Sequence, residues 1–225
     1  AFGVVAGGGT LGILIPPSAP MVLYAFVTET SVGALFLAGV VPGLMMALMF
    51  AGYVWLTEKR AVAPADEPPP ERIATSFRRA GWSMTLPIFV LGGIYMGVFT
   101  ATEAAGAGTI YAIIIAAAIY RTITWRDLWD GVQDATRTSA MLLLIIAGAA
   151  VYGYMLTKLH IPQELAALVT EMGLSRTGFL VAMMVLLFLL GLVLESFSII
   201  LLTMPAILPA MAGLGIDKVW YGVLL

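Results

Sequence analysis

The sequence has no cysteine, a single histidine and few charged residues. Without cysteine the chain forms no disulfide and offers no thiolate to a metal or to a nucleophilic reaction. One histidine excludes a multi-histidine metal site. A glycine-rich phosphate loop with its lysine is also absent, which argues against ATP hydrolysis by this chain. No basic patch with interleaved aromatic residues is present, so we expect no nucleic-acid partner.

Apolar residues dominate what is there. Hydrophobic residues make up 61% of the 225 residues and charged residues 11%, whereas ordinary globular domains carry about 25% charged residues. Several apolar runs have the length of a membrane-spanning helix. The composition therefore predicts an all-α polytopic membrane protein embedded in a lipid bilayer. Because the sequence begins and stops within apolar runs, we expect an internal fragment of a longer membrane protein.

Residues 7–20, GGGTLGILIPPSAP, are apolar but unsuited to a continuous helix. Glycine weakens helices, and the two prolines lack an N–H and disfavour helical geometry in the residue before each. We predict a helix that approaches from Phe2, breaks near Gly12–Ser18 and resumes near Pro20–Val27. In lipid, backbone groups freed by a break need partners, and transporters build ion and substrate sites from such broken helices.

Further apolar runs predict helices that cross the bilayer, namely Leu35–Leu56, Trp82–Phe99, Ala104–Tyr120 and Ser139–Leu159. The polar segment 58–81 lies between the first two of them and contains several lysines and arginines. Basic residues near membrane ends favour the cytoplasmic side. The sequence therefore predicts that segment 58–81 is a cytoplasmic linker.

Two local features accompany these helices. Trp125–Thr138 places apolar and charged residues on opposite faces of a helix, which predicts a separate amphipathic helix at the inner membrane interface. An equally good interpretation is a connecting helix docked on protein. Thr102 is predicted to cap the helix that follows it, with Glu103 in the first turn, where a carboxylate is favoured.

A second break is predicted at residues 195–198, where an acidic residue and two serines separate two apolar arms. The arms are Thr177–Leu194 and Ile199–Leu208, and prolines 205 and 209 are expected to break the second one. Because that arm is too short to span a bilayer, we favour a re-entrant helical hairpin with its tip at membrane depth. The alternative is an ordinary surface loop at Glu195.

Oxygen atoms are the ligands that the two breaks offer. Carbonyl groups at the end of a half-helix suit Na⁺, and N–H groups at the start of the next half-helix suit an anionic substrate. No catalytic set, cofactor or metal other than Na⁺ is predicted, because the serines lack a nearby histidine base. The predicted Na⁺ ligands are Thr10, Gly12, Pro16, Ser18, Glu195, Ser196 and Ser198, and the predicted substrate contacts are Pro17, Ser18, Ser196 and Thr203.

Residues 9–18, GTLGILIPPS, closely resemble a signature of the large membrane subunit of TRAP transporters, the tripartite ATP-independent periplasmic transporters of the DctM type. Two departures from the family pattern lie in turns, where Ala101 replaces a usual proline and Lys218 stands where the family often has proline. Further matches follow in order: LFLAGVVPG at 35–43, GVFTATEAA at 97–105, the Leu194-Glu195 segment, LGID at 214–217 and WYG at 220–222.

The resemblance implies an all-helical transporter of two inverted repeats that works by an elevator-type movement. It implies Na⁺-coupled uptake of small organic acids (carboxylates) across a bacterial inner membrane. A periplasmic binding protein of the DctP type and a small membrane subunit of the DctQ type are the implied partners. The expected organisation is a broken helix of the first repeat in the transport domain (1–27), a membrane helix (28–57), the cytoplasmic linker (58–81), membrane helices with the interfacial helix at 125–138 (82–159), and the second-repeat hairpin with the start of the next helix (160–225).

Other functions remain open at this point. One is a Na⁺- or H⁺-coupled carboxylate transporter that needs no binding protein, and another is a structural subunit that does not itself transport. A membrane-embedded hydrolase is a third, although it requires a nucleophile and a base at the same membrane depth, and the sequence offers no such pair.

Overall fold

A computed structural model of the chain describes the backbone of residues 2–57 and 73–225, and the side chains of residues 7–57 and 80–225. The described part is helical and contains no strand, so the all-α prediction is confirmed. Most of the predicted linker 58–81 lies outside the described residues. In chain order the helices are α1 (Phe2–Leu14), α2 (Ala19–Thr28), α3 (Val32–Thr57), α4 (Ile73–Tyr95), α5 (Ala101–Ile114) followed by a π-helical turn (Ile115–Tyr120), α6 (Trp125–Lys158), α7 (Ile161–Glu171), α8 (Arg176–Gly191), α9 (Ser196–Gly213) and α10 (Lys218–Leu224).

Several of these helices are long and apolar enough to cross a membrane, which confirms the polytopic class. The bent α1–α2 pair is either one further span that is broken in the middle or a re-entrant loop. The apolar part of α4, Ala80–Tyr95, is shorter than the predicted span Trp82–Phe99, because the chain turns at Gly97, which has a φ of 71°. The long spans are Val32–Thr57, Ala101–Tyr120, Trp125–Lys158 and Ser196–Gly213.

The chain divides into two compact units. The first unit comprises Ala1–Pro17 and Val40–Asp130, and the second comprises Ser18–Gly39 and Gly131–Leu225. In the first unit α1 packs against α3, and two contacts define the direction. Gly7 faces the ring of Phe50, and Ile15 faces Gly43. From the first contact to the second, the residue number rises from 7 to 15 in α1 and falls from 50 to 43 in α3, so the two helices run antiparallel.

In the first unit α4 and α5 also form a helical pair. The Oγ1 of Thr85 lies 2.8 Å from the Oη of Tyr111, and the Tyr111 ring stacks on Phe89 with centroids 4.6 Å apart. Gly108 lets the two helices approach, because a Cβ there would lie 2.8 Å from Cγ2 of Val90. Small residues at such contacts are typical of helix pairs in membranes, where close packing replaces the hydrophobic effect.

The cap of α5 is not the one that the sequence predicted. Thr100 is the N-cap residue, and its Oγ1 accepts a hydrogen bond of 3.3 Å from the N–H of Glu103. The Glu103 carboxylate accepts in return from the N–H of Thr100 at 2.8 Å, which completes a capping box. The prediction of Thr102 was wrong, because α5 begins at Ala101 and Thr102 already lies inside the helix.

The predicted amphipathic segment 125–138 is not a separate helix. It continues without a break into the apolar part of α6, so that one helix runs from Trp125 to Lys158. A capping box starts it, because the Asp127 carboxylate accepts the N–H of Thr124 at 2.8 Å and the Thr124 hydroxyl accepts the N–H of Asp127 at 3.3 Å. Nothing between Asp127 and Ser139 ends a helix, since no glycine pair or proline occurs there.

The second unit is built around α9, which packs against α2, α7 and α8. Its inner face contributes Ile200, Met204 and Met211 to the core, each almost completely buried. The expectation that prolines 205 and 209 break this arm was wrong, because α9 continues through both to Gly213. Each proline removes one backbone hydrogen bond, while packing of α9 on its neighbours keeps the helix intact. At 18 residues α9 has the length of a span, so its length no longer favours the re-entrant hairpin over a surface loop.

Candidate ion and substrate site

The C-terminal end of α1 carries carbonyl groups without a helical partner. In a regular helix the carbonyls of Gly12 and Ile13 would accept from the residues four positions later. Those residues are Pro16 and Pro17, which have no N–H. The last intrahelical bond at this end runs from the N–H of Ile15 to the carbonyl of Leu11, at 2.8 Å. The break thus lies within the predicted region, and it leaves carbonyl oxygens where the sequence predicted Na⁺ ligands.

The side chains near this end of α1 differ in their availability. Thr10 is exposed, and its hydroxyl donates to the carbonyl of Gly7 at 2.7 Å, which leaves its oxygen lone pairs open. Pro16 is buried and Pro17 is exposed, and the peptide bond between them is cis. Gly43 on α3 meets the break from the side, because a Cβ on it would lie 2.8 Å from Cγ1 of Ile15. Sequence reasoning missed this contact, since only a pairing of α1 with α3 brings the two residues together.

Ser18 occupies the N-cap position of α2 in the second unit, but its side chain makes no cap hydrogen bond. The residue is only 2% exposed, and its Oγ has no hydrogen-bond partner among the described residues. A buried hydroxyl without a partner is costly, because it gives up its water and gains nothing in return. The helix N-terminus adds unpaired N–H groups and a positive partial charge next to this oxygen. Ser18 therefore has the properties of a ligand position.

The second break lies between α8 and α9, at residues 192–195. Glu195 is the N-cap residue of α9 and is exposed, and its carboxylate makes no cap bond to the helix. Ser196 and Ser198, in the first turn of α9, are half-buried. This end of α9 thus combines a free carboxylate, two hydroxyl-bearing residues and the unpaired N–H groups of a helix start.

Thr203 differs from the other predicted substrate contacts. It is buried, and its hydroxyl donates to the carbonyl of Ile199 at 2.7 Å within its own helix. It also lines an apolar cavity of about 310 Å³ between α7, α8 and α9, together with residues such as Leu168 and Phe179. The hydroxyl hydrogen is therefore already committed to the backbone, and only oxygen lone pairs remain for a ligand.

The structure brings α2 and α9, the helices that follow the two breaks, into contact, but it does not join their predicted ligands by hydrogen bonds. Ser18 begins α2 and Ser196 begins α9, and these two helices pack against each other in the second unit. Because the Ser18 Oγ has no partner, it is not hydrogen-bonded to Glu195, Ser196 or Ser198. No cluster of histidine and carboxylate side chains with the arrangement of a metal site occurs among the described residues. The ligands on offer are neutral oxygens and one carboxylate, a set that suits a hard cation.

The described part of the chain is helical, contains several apolar spans and has a helix break that leaves carbonyl groups without their helical donors, which defines a polytopic membrane protein. Breaks of this kind form binding sites in transporters. The comparison with protein families narrows the class. The profile described as "Tripartite ATP-independent periplasmic transporter, DctM component" matches residues 1–225, and the chain belongs to this family.

Individual relatives agree with the family. The chain is 40% identical, over 99% of its length, to the C4-dicarboxylate TRAP transporter large permease protein DctM of Pseudomonas aeruginosa. It is 34% identical over 100% of its length to the sialic acid TRAP transporter large permease protein SiaM of Vibrio cholerae, and 32% identical over 99% to the isethionate TRAP transporter permease protein DctMQ of Oleidesulfovibrio alaskensis. The chain covers 52%, 53% and 35% of these three proteins respectively.

The chain thus spans about half the length of the first two relatives, and less of the third. All three are named as permease proteins of transporters, so the family is one of transporters rather than of enzymes. Their names refer to three different substrates. Membership of the family therefore establishes that the chain belongs to a transporter family, but it does not identify the transported molecule.

Proposed function

We propose that this chain is part of the large membrane subunit of a Na⁺-coupled transporter that imports small organic acids and receives them from a periplasmic binding protein. The observation that carries the proposal is the Ser18 hydroxyl, which is buried at the start of α2 without a partner. A bound Na⁺ would remove the cost of that unsatisfied oxygen. Gly12 and Pro16, through carbonyl oxygens, and Thr10, through its hydroxyl oxygen, are further proposed Na⁺ ligands.

In the proposed mechanism the second break contributes Glu195, Ser196 and Ser198 as Na⁺ ligands. Pro17, Ser18, Ser196 and Thr203 contact the substrate, whose carboxylate is attracted by the N-terminal ends of α2 and α9. A Na⁺ bound beside the substrate lowers the free energy of the anion in the site. Import and ion entry are thereby coupled, because each ligand raises the affinity for the other.

The names of the relatives support the tripartite organisation. They are TRAP transporter permease proteins, and one is called DctMQ. We therefore propose a small membrane subunit of the DctQ type and a binding protein of the DctP type as partners, in a bacterial inner membrane. The elevator-type movement of two inverted repeats belongs to the same proposal. Selection of the organic acid is assigned largely to the binding protein, because attraction of a carboxylate to helix ends is not selective.

The test is uptake into proteoliposomes that contain the full-length transporter with its small subunit. Radiolabelled dicarboxylates, keto acids and sugar acids are offered, with and without the binding protein, under an inward gradient of Na⁺, K⁺ or H⁺. We expect uptake of at least one acid that requires both Na⁺ and the binding protein. Uptake driven by H⁺ contradicts the Na⁺ coupling, and uptake without the binding protein supports the simpler type of secondary transporter.

Two substitutions test the site itself. Ser18→Ala should lower the initial uptake rate about tenfold at limiting Na⁺, because the loss of one polar partner in a buried site costs about 1–3 kcal/mol. Ser139→Ala, at an exposed serine within α6, is the matched control and should transport like the wild type. Glu195→Ala should also reduce Na⁺-dependent uptake. Unchanged Na⁺ dependence in both Ser18→Ala and Glu195→Ala would contradict the proposed site and favour a structural subunit.

A further inference from the structure

Lys218 occupies an electrostatically unfavourable position in its own helix. It is the first residue of α10, and Asp217 caps that helix by accepting the N–H of Trp220 at 2.8 Å. The N-terminal end of a helix carries a positive partial charge, so a lysine in this position is disfavoured. The residue therefore needs an explanation from outside α10.

The partner of Lys218 is the C-terminal end of α2, which is distant in the sequence. Its Nζ donates a hydrogen bond of 3.0 Å to the carbonyl of Thr28, the last residue of α2. The last carbonyls of a helix have no intrahelical partner and carry a negative partial charge, where a cation is favourable. The N–H of the cap residue Glu29 donates to the carbonyl of Ala25, which ends the backbone hydrogen bonding of α2. Lys218 thus completes the C-terminal cap of α2 from 190 residues away.

A second hydrogen bond runs in the opposite direction. The Oη of Tyr24, in the middle of α2, donates to the backbone carbonyl of Lys218 at 2.7 Å. Gly222 lies one turn after Lys218 on the same face of α10, and a Cβ there would lie only 2.5 Å from Cε1 of Tyr24. Each helix therefore donates one bond to the other, and the close approach depends on a residue without a side chain. We call this pair of bonds the Lys218–Tyr24 clamp.

We propose that the Lys218–Tyr24 clamp positions α2, and through it Ser18, so that Lys218 is a positioning residue for the ion site at the first break. This inference rests on the proposed function. The helix between the two ends has ten residues, which is roughly 15 Å at 1.5 Å per residue. Over such a length a helix behaves as a stiff rod, so that a displacement of Thr28 also displaces Ser18.

A positioning role of the clamp and a purely stabilising role predict different responses of the protein to Na⁺. If the clamp sets the position of Ser18, removing the ammonium group changes the affinity for Na⁺. If it only adds stability, the same change lowers the unfolding temperature equally at every Na⁺ concentration. Ligand binding to the native state raises the unfolding midpoint with ligand concentration, so one titration distinguishes the two roles.

The experiment uses the full-length protein purified in detergent. Its thermal unfolding is followed by tryptophan fluorescence while NaCl replaces KCl at constant ionic strength. Lys218→Met removes the ammonium group. Lys218→Pro also removes it but keeps the carbonyl that Tyr24 contacts, and proline is well suited to the first position of a helix. Lys218→Arg retains a cationic donor, and Lys158→Met removes the same charge at the end of α6 as the matched control.

We expect the half-saturating Na⁺ concentration to rise about threefold to tenfold in Lys218→Met and Lys218→Pro, the range that a helix-terminal charge contributes. Lys218→Arg and Lys158→Met should titrate like the wild type. A wild-type Na⁺ response with unchanged half-saturation in both Lys218 variants overturns the positioning role and leaves the proposed function intact. A wild-type protein that unfolds identically in Na⁺ and K⁺ overturns both.

Discussion

At the scale of single residues, two of the close glycine contacts carry more structural information about the candidate site and the clamp than the charged groups. Gly43 meets Ile15 at the break of α1, and Gly222 meets Tyr24 at the clamp. In each case a missing side chain allows a neighbouring side chain to approach. Gly52, in the same helix as Gly43, has no such neighbour within 4 Å, so that a matched comparison is available for Gly43.

We predict that Gly43→Ala destabilises the full-length protein by about 1–3 kcal/mol, the usual cost of overpacking. The added Cβ would lie 2.8 Å from Cγ1 of Ile15, which is bonded to the branched Cβ and is not the free end of a flexible side chain. Gly52→Ala in the same helix is the control, because a Cβ there has no neighbour within 4 Å. Alanine is preferred to glycine in a helix by roughly 0.5–1 kcal/mol, so the control should be slightly stabilised.

Unfolding by increasing fractions of sodium dodecyl sulfate in mixed micelles measures both variants. Equal stability of the two would show that Ile15 moves aside at no cost. Gly43→Ala should also weaken the Na⁺-dependent rise of the unfolding temperature, because it displaces Ile15, the residue directly after the end of α1. This second readout separates a local effect on the break from a general loss of stability.

At the scale of helices, capping boxes determine where two of the helices begin. The motif is easy to recognise in a sequence, but it is also easy to assign it to the wrong threonine. Thr100 and Glu103 form a capping box, and so do Thr124 and Asp127. Both follow the pattern of a threonine with an acid three residues later. The prediction that Thr102 is the cap did not use this three-residue spacing between Thr100 and Glu103, which is present in the sequence.

We predict that Thr100→Ala destabilises the protein by about 0.5–2 kcal/mol, the cost of losing an N-cap. Thr102→Ala, an exposed threonine within the first turn of the same helix, should change stability by less than about 0.5 kcal/mol. The same unfolding assay in mixed micelles measures both. A larger effect of Thr102→Ala than of Thr100→Ala would mean that α5 begins later than Ala101.

At the scale of the whole molecule, the long helices determine which chain segments share a membrane face. With 26 residues α3 is roughly 39 Å long at 1.5 Å per residue, more than the ~30 Å hydrocarbon core of a bilayer. A helix of this length that spans the bilayer has its two ends on opposite faces. The bond between Lys218 and the carbonyl of Thr28 requires that the start of α10 lies on the same face as the start of α3.

We predict that Ser31→Cys and Gly213→Cys react with a membrane-impermeant maleimide from the periplasmic side, and that Ala63→Cys in the linker reacts from the cytoplasmic side. The chain described here contributes no cysteine of its own, so each substitution gives one new thiol in it. Labelling of right-side-out and inverted vesicles measures the side. Labelling of positions 31 and 63 from the same side would exclude α3 as a complete span, and reaction of position 63 from the periplasm would reverse the proposed orientation.

The sequence by itself determined the class of protein, most of the helices and the position of the first break. Prolines 16 and 17 leave the carbonyls of Gly12 and Ile13 without their helical donors in any fold, because the missing N–H groups are a property of the residues themselves. The same local rule failed at Pro205 and Pro209, where packing of α9 against α2, α7 and α8 outweighs two lost hydrogen bonds. Helix propensity determines the local structure of a segment with few tertiary contacts. Tertiary packing outweighs it where neighbouring helices contact a helix on several sides.

Only the tertiary structure decided which residues meet. The burial of Ser18 without a partner, the approach of Ile15 to Gly43 and the pairing of Lys218 with Thr28 join positions that are far apart in the chain or depend on neighbours that are. In sequence alone Lys218 is a departure from a family pattern at the start of a short helix. Its role becomes visible only when the carbonyl end of α2 lies beside it, because an unpaired carbonyl and a lysine attract each other only at short range.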